Sequence, residues 1–232
     1  MNKFAVMKHI PSVLLAAALL CSCASSRYAV GFSAGQVGEM ALFTPDSYVN
    51  YIDEKGMTVF HDSLSAVASS VLKEAVLESG VPVVKVLGTD FQEASSIKDF
   101  ARMVIGQPSR RMSFLVPVPD AIDRRLEAEG MRYGLILVSD GMDRDVRGYR
   151  KDIAVGVALG IVTGVVSALL GGGGYSYSAP YRNSSSIWAI VVDAEEDRIV
   201  FYDDSPEREI SPLKKSVVRA QVSTLLKAFV RK

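Results

Sequence analysis

The sequence predicts an α/β fold: a single domain in which a mixed β-sheet is packed by helices. Three observations carry that expectation. Amphipathic stretches alternate with short Val-rich runs from residue 37 onward, the run Tyr133 to Ser139 (YGLILVS) is apolar without a break, and residues 187–203 read as a hairpin. Alternating strands and helices put helices on the faces of a sheet. An unbroken apolar strand is one covered on both faces, and a hairpin adds antiparallel pairing.

The chain opens MNKFAVMKHIPSVLLAAALLCSCASS, with Lys3 and Lys8 ahead of an apolar run and small residues after it. That is the pattern of a secretory signal. Leu20 at −3 and Ser22 at −1 before Cys23 resemble the lipobox of bacterial lipoproteins, which makes Cys23 the expected lipidated residue. Cleavage before Cys21 would put bulky Leu20 at −1, which suits a lipobox less well. Residues 1–22 are therefore expected to be removed, residues 23–36 to form a polar tether, and residues 37–232 to form the domain. The two cysteines both lie in this stretch, so neither a disulfide nor thiol chemistry is expected in the domain. Removing Lys3 and Lys8 from 26 basic residues leaves 24 against 26 acidic ones, a formal charge of −2. Such a balance gives nucleic acid no electrostatic footprint.

Met40 to Phe43 and Tyr48 to Ile52 read as extended, separated by a turn at Thr44, Pro45 and Asp46, with a second turn at Asp53 to Gly56. A helix capped by Asp62 or Ser63 follows, with Leu64, Val67, Ala68, Val71, Leu72 and Ala75 on one face and Gly80 beyond its end. Val81 to Leu87 reads as a short buried strand. Asp90 and Glu93 open the next helix, whose apolar side is Phe91, Ala94, Ile97, Ala101, Val104 and Ile105 and which Gly106 ends. Phe114 to Val118 reads as extended, Pro119 and Asp120 start a helix to Glu129, and YGLILVS follows. After a Ser/Tyr-rich loop, Ile187 to Asp193 and Arg198 to Asp203 frame a turn at 194–197. The last helix is expected over Pro212 to Arg231, with Leu213, Val217, Ala220, Thr224, Leu225, Ala228 and Phe229 inward.

Between strand and hairpin lies Ile153 to Gly174, twenty-two residues without a charge. Gly156, Gly160 and Gly164 recur every fourth residue and Ala168 continues the row. On a helix these make one smooth stripe. Three interior glycines disfavour a helix by roughly 3 kcal/mol, which close packing against a partner surface would have to offset. The same stretch also alternates small and large residues like a strand, but its length favours a glycine-zipper helix. It is near the ~20 residues that span a bilayer, although its glycines keep its hydrophobicity low.

The order of elements resembles a group of bacterial envelope lipoproteins that includes the curli secretion channel subunit, the lipoprotein activators of penicillin-binding proteins and the N-terminal domain of the periplasmic Tol protein. The resemblance rests on the lipobox at Cys23, the strand YGLILVSDG, the hairpin IWAIVVDAEEDRIVFYDD and the terminal amphipathic helix. Asp193 and Tyr202 match the group's strand-turn-strand pattern loosely, while the Thr-Gly pair of its turn is absent. The resemblance implies a lipid-anchored protein of the outer membrane, facing the periplasm, that binds or assembles other envelope components. An oligomeric secretion pore in which residues 153–174 insert is the alternative.

Candidate chemistry is sparse. His61 stands alone once His9 leaves with the signal, and pairing it with Ser63 as base and nucleophile would need an alignment that adjacent turn residues rarely reach. Asp140, Asp143 and Asp145 could offer hard oxygens to calcium, but Arg144 and Arg147 sit among them and the final Glu of an EF-hand is absent. No catalytic residue, cofactor or metal is expected, and a periplasmic hydrolase is the remotest reading. Residues 193–209 carry eight acids, and six bases with no acid follow Pro212. That basic stretch could meet an acidic partner, or serve the helix dipole and solvation alone.

Overall fold

The computed structural model describes residues 26–151, 153–154 and 181–230. Cys23 and the row Gly156, Gly160, Gly164 and Ala168 lie outside the described residues, as does the expected glycine-zipper helix beyond Ala154.

The apolar run YGLILVS grows into a twelve-residue strand, β5 (Tyr133–Arg144). On one side β6 (Ser184–Asp193) pairs it antiparallel from Tyr133↔Asp193 to Met142↔Ser184, and β7 (Arg198–Arg208) pairs β6 in turn. On the other side two strands share its length, both parallel. β1 (Met40–Phe43) takes the lower part and β2 (Asp46–Ile52) the upper. Leu42 stands opposite Leu135 and Asp46 opposite Val138, so the β1–β2 chain carries one residue more than β5 over the same interval. The expected turn at Thr44 to Asp46 is thus a bulge within one long strand. Pro45 has no N–H to give a ladder. Thr44 sends both its N–H and its hydroxyl to the Leu87 carbonyl, at 3.1 and 3.0 Å.

β4 (Val83–Leu87) lies parallel to β1, and β3 (Thr58–Phe60) lies antiparallel to β2, completing a mixed seven-stranded sheet. Alternation then sorts side chains to two faces. Met40, Leu42, Leu135, Leu137, Ile187, Ala189 and Val191 meet α1 (Asp62–Leu77) and, near the C-terminus, α5 (Lys215–Leu225). Ala41, Phe43, Ile136, Val138, Ile190 and Val192 meet α2 (Phe91–Ile105) and α4 (Asp120–Ala128). A single turn, α3 (Arg110–Ser113), links α2 to the loop before α4. Gly134 is needed where the layers close, since a Cβ there would stand 2.8 Å from the Phe43 ring and 2.9 Å from Leu126.

Local chemistry reads through in several places. Asp90 and Glu93 form a reciprocal capping box, Asp90 accepting from the Glu93 N–H at 2.8 Å, and Gly106 ends α2. The Asp53 carboxylate accepts the N–H groups of Lys55 and Met57, closing the second turn.

Other expectations are corrected. α1 is capped by His61, whose Nδ1 accepts the Leu64 N–H at 3.3 Å, rather than by Asp62 or Ser63. Val67 and Phe91, expected inward, are exposed because Ser65 and Phe100 occupy the inner positions. Ser65 enters the core because its hydroxyl accepts the Val49 N–H at 2.9 Å. Phe114 to Val118 forms no strand: Ser113 ties the segment to the Val104 carbonyl at 2.9 Å and a turn follows. The last helix starts at Lys215, and its buried residues are Val218, Gln221, Val222 and Leu225, with Ala220, Thr224 and Ala228 exposed. Val218, Val222 and Leu225 turn into the core beside Leu72, Ala75 and Val76, and Lys215 and Arg219 pair with Glu74 and Glu78 at the rim of that contact.

Candidate functional site

The residues singled out for chemistry do not converge. His61 is occupied as a cap, its ring edge-on to Tyr51 at 6.1 Å, and Ser63 is exposed within the helix it caps. Asp140 and Asp143 lie three apart on β5 and so project to opposite faces. Burial pushes the Asp140 carboxyl above its ordinary range. Asp145 accepts the N–H groups of Gly148 and Arg147, at 3.0 and 2.8 Å, which hold its carboxyl below that range. Its role is to cap the helical residues from 146 onward. Among the described residues no three His, Cys, Asp or Glu side chains gather where a metal ion could sit.

Several of the late charges pair within the domain. Arg132 holds Asp193 through two nitrogens and reaches Glu195 at 2.6 Å, while its guanidinium lies 5.1 Å from the Tyr133 ring centre. Arg110 joins Asp203 at 2.7 Å and Asp204 at 2.6 Å. From the basic stretch, Lys215 meets Glu74 and Glu78 at 3.0 and 2.7 Å, and Arg219 meets Glu78 at 3.1 Å. These pairs rim the contact of α5 with α1. A cavity of about 280 Å³ lies between the N-terminal segment and the hairpin, lined by Phe32, Arg132, Tyr133, Asp193, Glu196 and Arg198. Arg132, Asp193, Glu196 and Arg198 pair with one another across it.

The two edges of the sheet differ. Along β7, residues 27–29 add a short covering segment: Tyr28 bridges Phe201, Ala29 donates to the Val200 carbonyl and Tyr202 donates to the Arg27 carbonyl, both at 3.0 Å. The opposite edge, β3 above β4, has no such cover among the described residues. It is also apolar. Val59 and Phe60 on β3 are 54% and 49% exposed, and Val84 on β4 is 54% exposed. An open edge offers unpaired N–H and C=O groups to any passing strand, and proteins ordinarily blunt it. Beside Phe60, at 6.3 Å, sits the Tyr48 ring, flanked by Lys98 and Arg102. Tyr48 donates to Asp46 at 2.7 Å, and desolvation first and that hydrogen bond second push its hydroxyl up to about 12. It therefore stays a neutral donor.

No known family model and no curated protein sequence matches this chain. Among the solved structures similar to it are two of different proteins. One is the PelC dodecamer from Paraburkholderia phytofirmans, at 9% identity and TM-score 0.40 over 89% of this chain and 95% of that one. The other is the LpoB C-terminal domain from Salmonella enterica, at 12% identity and TM-score 0.29 over 76% of this chain and 85% of that one.

The open edge was not among the residues that the sequence reading singled out. Val81 to Leu87 reads as buried because its apolar run outweighs one charge, yet Lys85 in the middle is the signal of an edge strand, and it pairs with Glu129 at the surface. No helix of the described residues is long and apolar enough to cross a membrane.

Proposed function

We propose that this chain is a non-catalytic lipoprotein of the bacterial outer membrane, anchored through Cys23 with its domain in the periplasm, that acts by binding another envelope protein. The observation that carries the binding role is the open, apolar β3–β4 edge opposite a β7 edge that the chain covers itself. Burying Val59, Phe60 and Val84 against a partner would return roughly 1–2 kcal/mol each, beside the ladder bonds a partner strand would add. Photo-crosslinking residues placed at Val59 and Val84 in the native envelope test this. One partner should be captured from both positions and not from exposed Glu127 on α4, and Val59→Asp should abolish capture without unfolding the domain. Capture that is equal at all three positions would defeat the reading.

Cys23 carries the anchoring half. Cys23→Ser should release the protein to the soluble periplasm, whereas Cys21→Ser should leave it membrane-bound with a lipidated N-terminus by mass spectrometry. The reverse pattern would remove the anchor assignment.

A second reading, a subunit of an oligomeric outer-membrane secretion pore, is favoured by the uncharged run 153–174. In it Gly156, Gly160, Gly164 and Ala168 form the contact row between copies. Crosslinks from Val59 to a second copy of this chain would select that reading.

A further inference from the structure

The segment expected to be a slack tether is stitched to the domain from Arg27 onward. Besides the backbone bonds of residues 27–29 to β7, the Tyr28 ring packs on Phe201 at 5.5 Å, Arg27 pairs with Asp203 at 3.1 Å, and Phe32 lies 6.2 Å from the Tyr133 ring. Only Ala24, Ser25 and Ser26 separate Arg27 from Cys23. Fully extended, those four Cα steps reach at most about 14 Å. A lipid on Cys23 therefore cannot sit far from the outer side of β7.

At that place the chain makes a tight turn. Phe32 donates to the Ala29 carbonyl at 3.2 Å, and Gly31 takes φ 81 at the third position, as a type II turn requires. Val30 occupies the second position and is 94% exposed, while Arg198 donates to its carbonyl at 3.3 Å and braces the loop. The 3₁₀ turns Ala34–Gln36 and Lys227–Phe229 pack together alongside, which brings exposed Lys227 next to the segment.

We propose that the face formed by residues 27–32 along β7 seats directly on the bilayer that holds Cys23, with Val30 entering the boundary between headgroups and acyl chains. The proposal rests on the lipoprotein reading. One valine is too little to bind a bilayer unaided, but a tether this short keeps the turn at high effective concentration beside the surface. Exposed Lys227 places a cation where anionic headgroups lie. Seated this way, the protein turns its open β3–β4 edge, on the far side of the sheet, into the periplasm.

The mature chain has no thiol besides Cys23, which the lipid consumes, so single labels are clean. Lipidated protein carrying Val30→Cys or Val84→Cys is nitroxide-labelled and reconstituted into phosphatidylethanolamine/phosphatidylglycerol vesicles, after mass spectrometry has established the lipid on Cys23. In electron paramagnetic resonance the label at 30 should gain oxygen collisions and lose nickel-chelate collisions severalfold relative to the label at 84. A label at 30 as water-exposed as that at 84, on protein shown to be lipidated, overturns the seating and leaves the lipoprotein reading intact. Mature protein without lipid on Cys23 overturns both.

Discussion

Arg132 and Asp193 close the lower end of the sheet: the guanidinium grips a carboxylate that is 1% exposed, through Nε at 3.0 Å and Nη2 at 2.7 Å. The Arg132 carbonyl also accepts the Ala194 N–H at 2.9 Å, so the register of β5 against β6 is pinned beside the hairpin turn. Removing Arg132 leaves the buried carboxylate with the Glu195 N–H at 3.1 Å but without its cation. Arg132→Ala should lower the urea midpoint of unfolding, and Arg132→Lys should recover only part, since an ammonium cannot make the paired contact. Equal stability of the Lys variant and the parent would show that charge alone matters.

Asp123 predicts a pH dependence. Desolvation, with the neighbouring Asp197 carboxyl next, raises its pKa from 3.8 to about 6, and Glu127 and Asp120 on its own helix add to the shift. Asp197 sits at positive φ in the hairpin turn. The folded protein holds this proton more tightly than the unfolded chain does. The stabilisation is therefore full below the unfolded value and is lost as pH rises through about 6. Thermal melts from pH 4.5 to 7.5 should fall across that window in the parent, and Asp123→Asn should flatten this part of the profile and melt higher at the upper end. A variant whose profile parallels the parent's would assign the dependence to other groups.

Gly134 tests the closeness of the layers. Gly134→Ala should destabilise by about 1–3 kcal/mol through overpacking against Phe43 and Leu126. Combining it with Leu126→Val should cost less than the sum of the two changes, a coupling that denaturant titration measures.

His61 separates the binding reading from a hydrolase. Its contribution is one exposed cap, so His61→Ala should cost no more than about 0.5–1 kcal/mol and leave the cellular phenotype unchanged. Complete loss of function in a folded His61→Ala protein would restore an enzymatic reading.

The small-residue row is tested by Gly160→Leu. If Gly156, Gly160 and Gly164 serve as a contact surface, this change should disrupt stability or self-association while lipid anchoring persists. In a Cys23→Ser background, residues inserted in a bilayer would keep the protein in the alkaline pellet, and residues packed on protein would release it. Unchanged stability and oligomeric state by sedimentation would make the row incidental.

The sequence by itself determined the α/β class with its mixed sheet, the central strand at Tyr133, the hairpin after Ile187, the Asp90–Glu93 cap and the end of α2 at Gly106. Each is written in neighbouring residues, as a run that must leave water or as a side chain answering a free backbone group a few positions away. Tertiary structure alone decided that Thr44 and Pro45 make a bulge rather than a turn, because the two differ only in whether β5 continues alongside. It decided that Val81 to Leu87 lies on an edge, that Arg27 to Phe32 is docked on β7, and that the basic stretch after Pro212 meets Glu74 and Glu78. The rotation of α5 follows the apolar face of Val218, Val222 and Leu225, and only the position of α1 and the sheet decided that this face, rather than the neighbouring one through Val217, Ala220 and Thr224, turns inward. Hydrophobic periodicity says which side chains avoid water. Which strand or charge covers them depends on residues as much as 168 positions apart, like Val30 and Arg198, whose meeting the closed fold brings about.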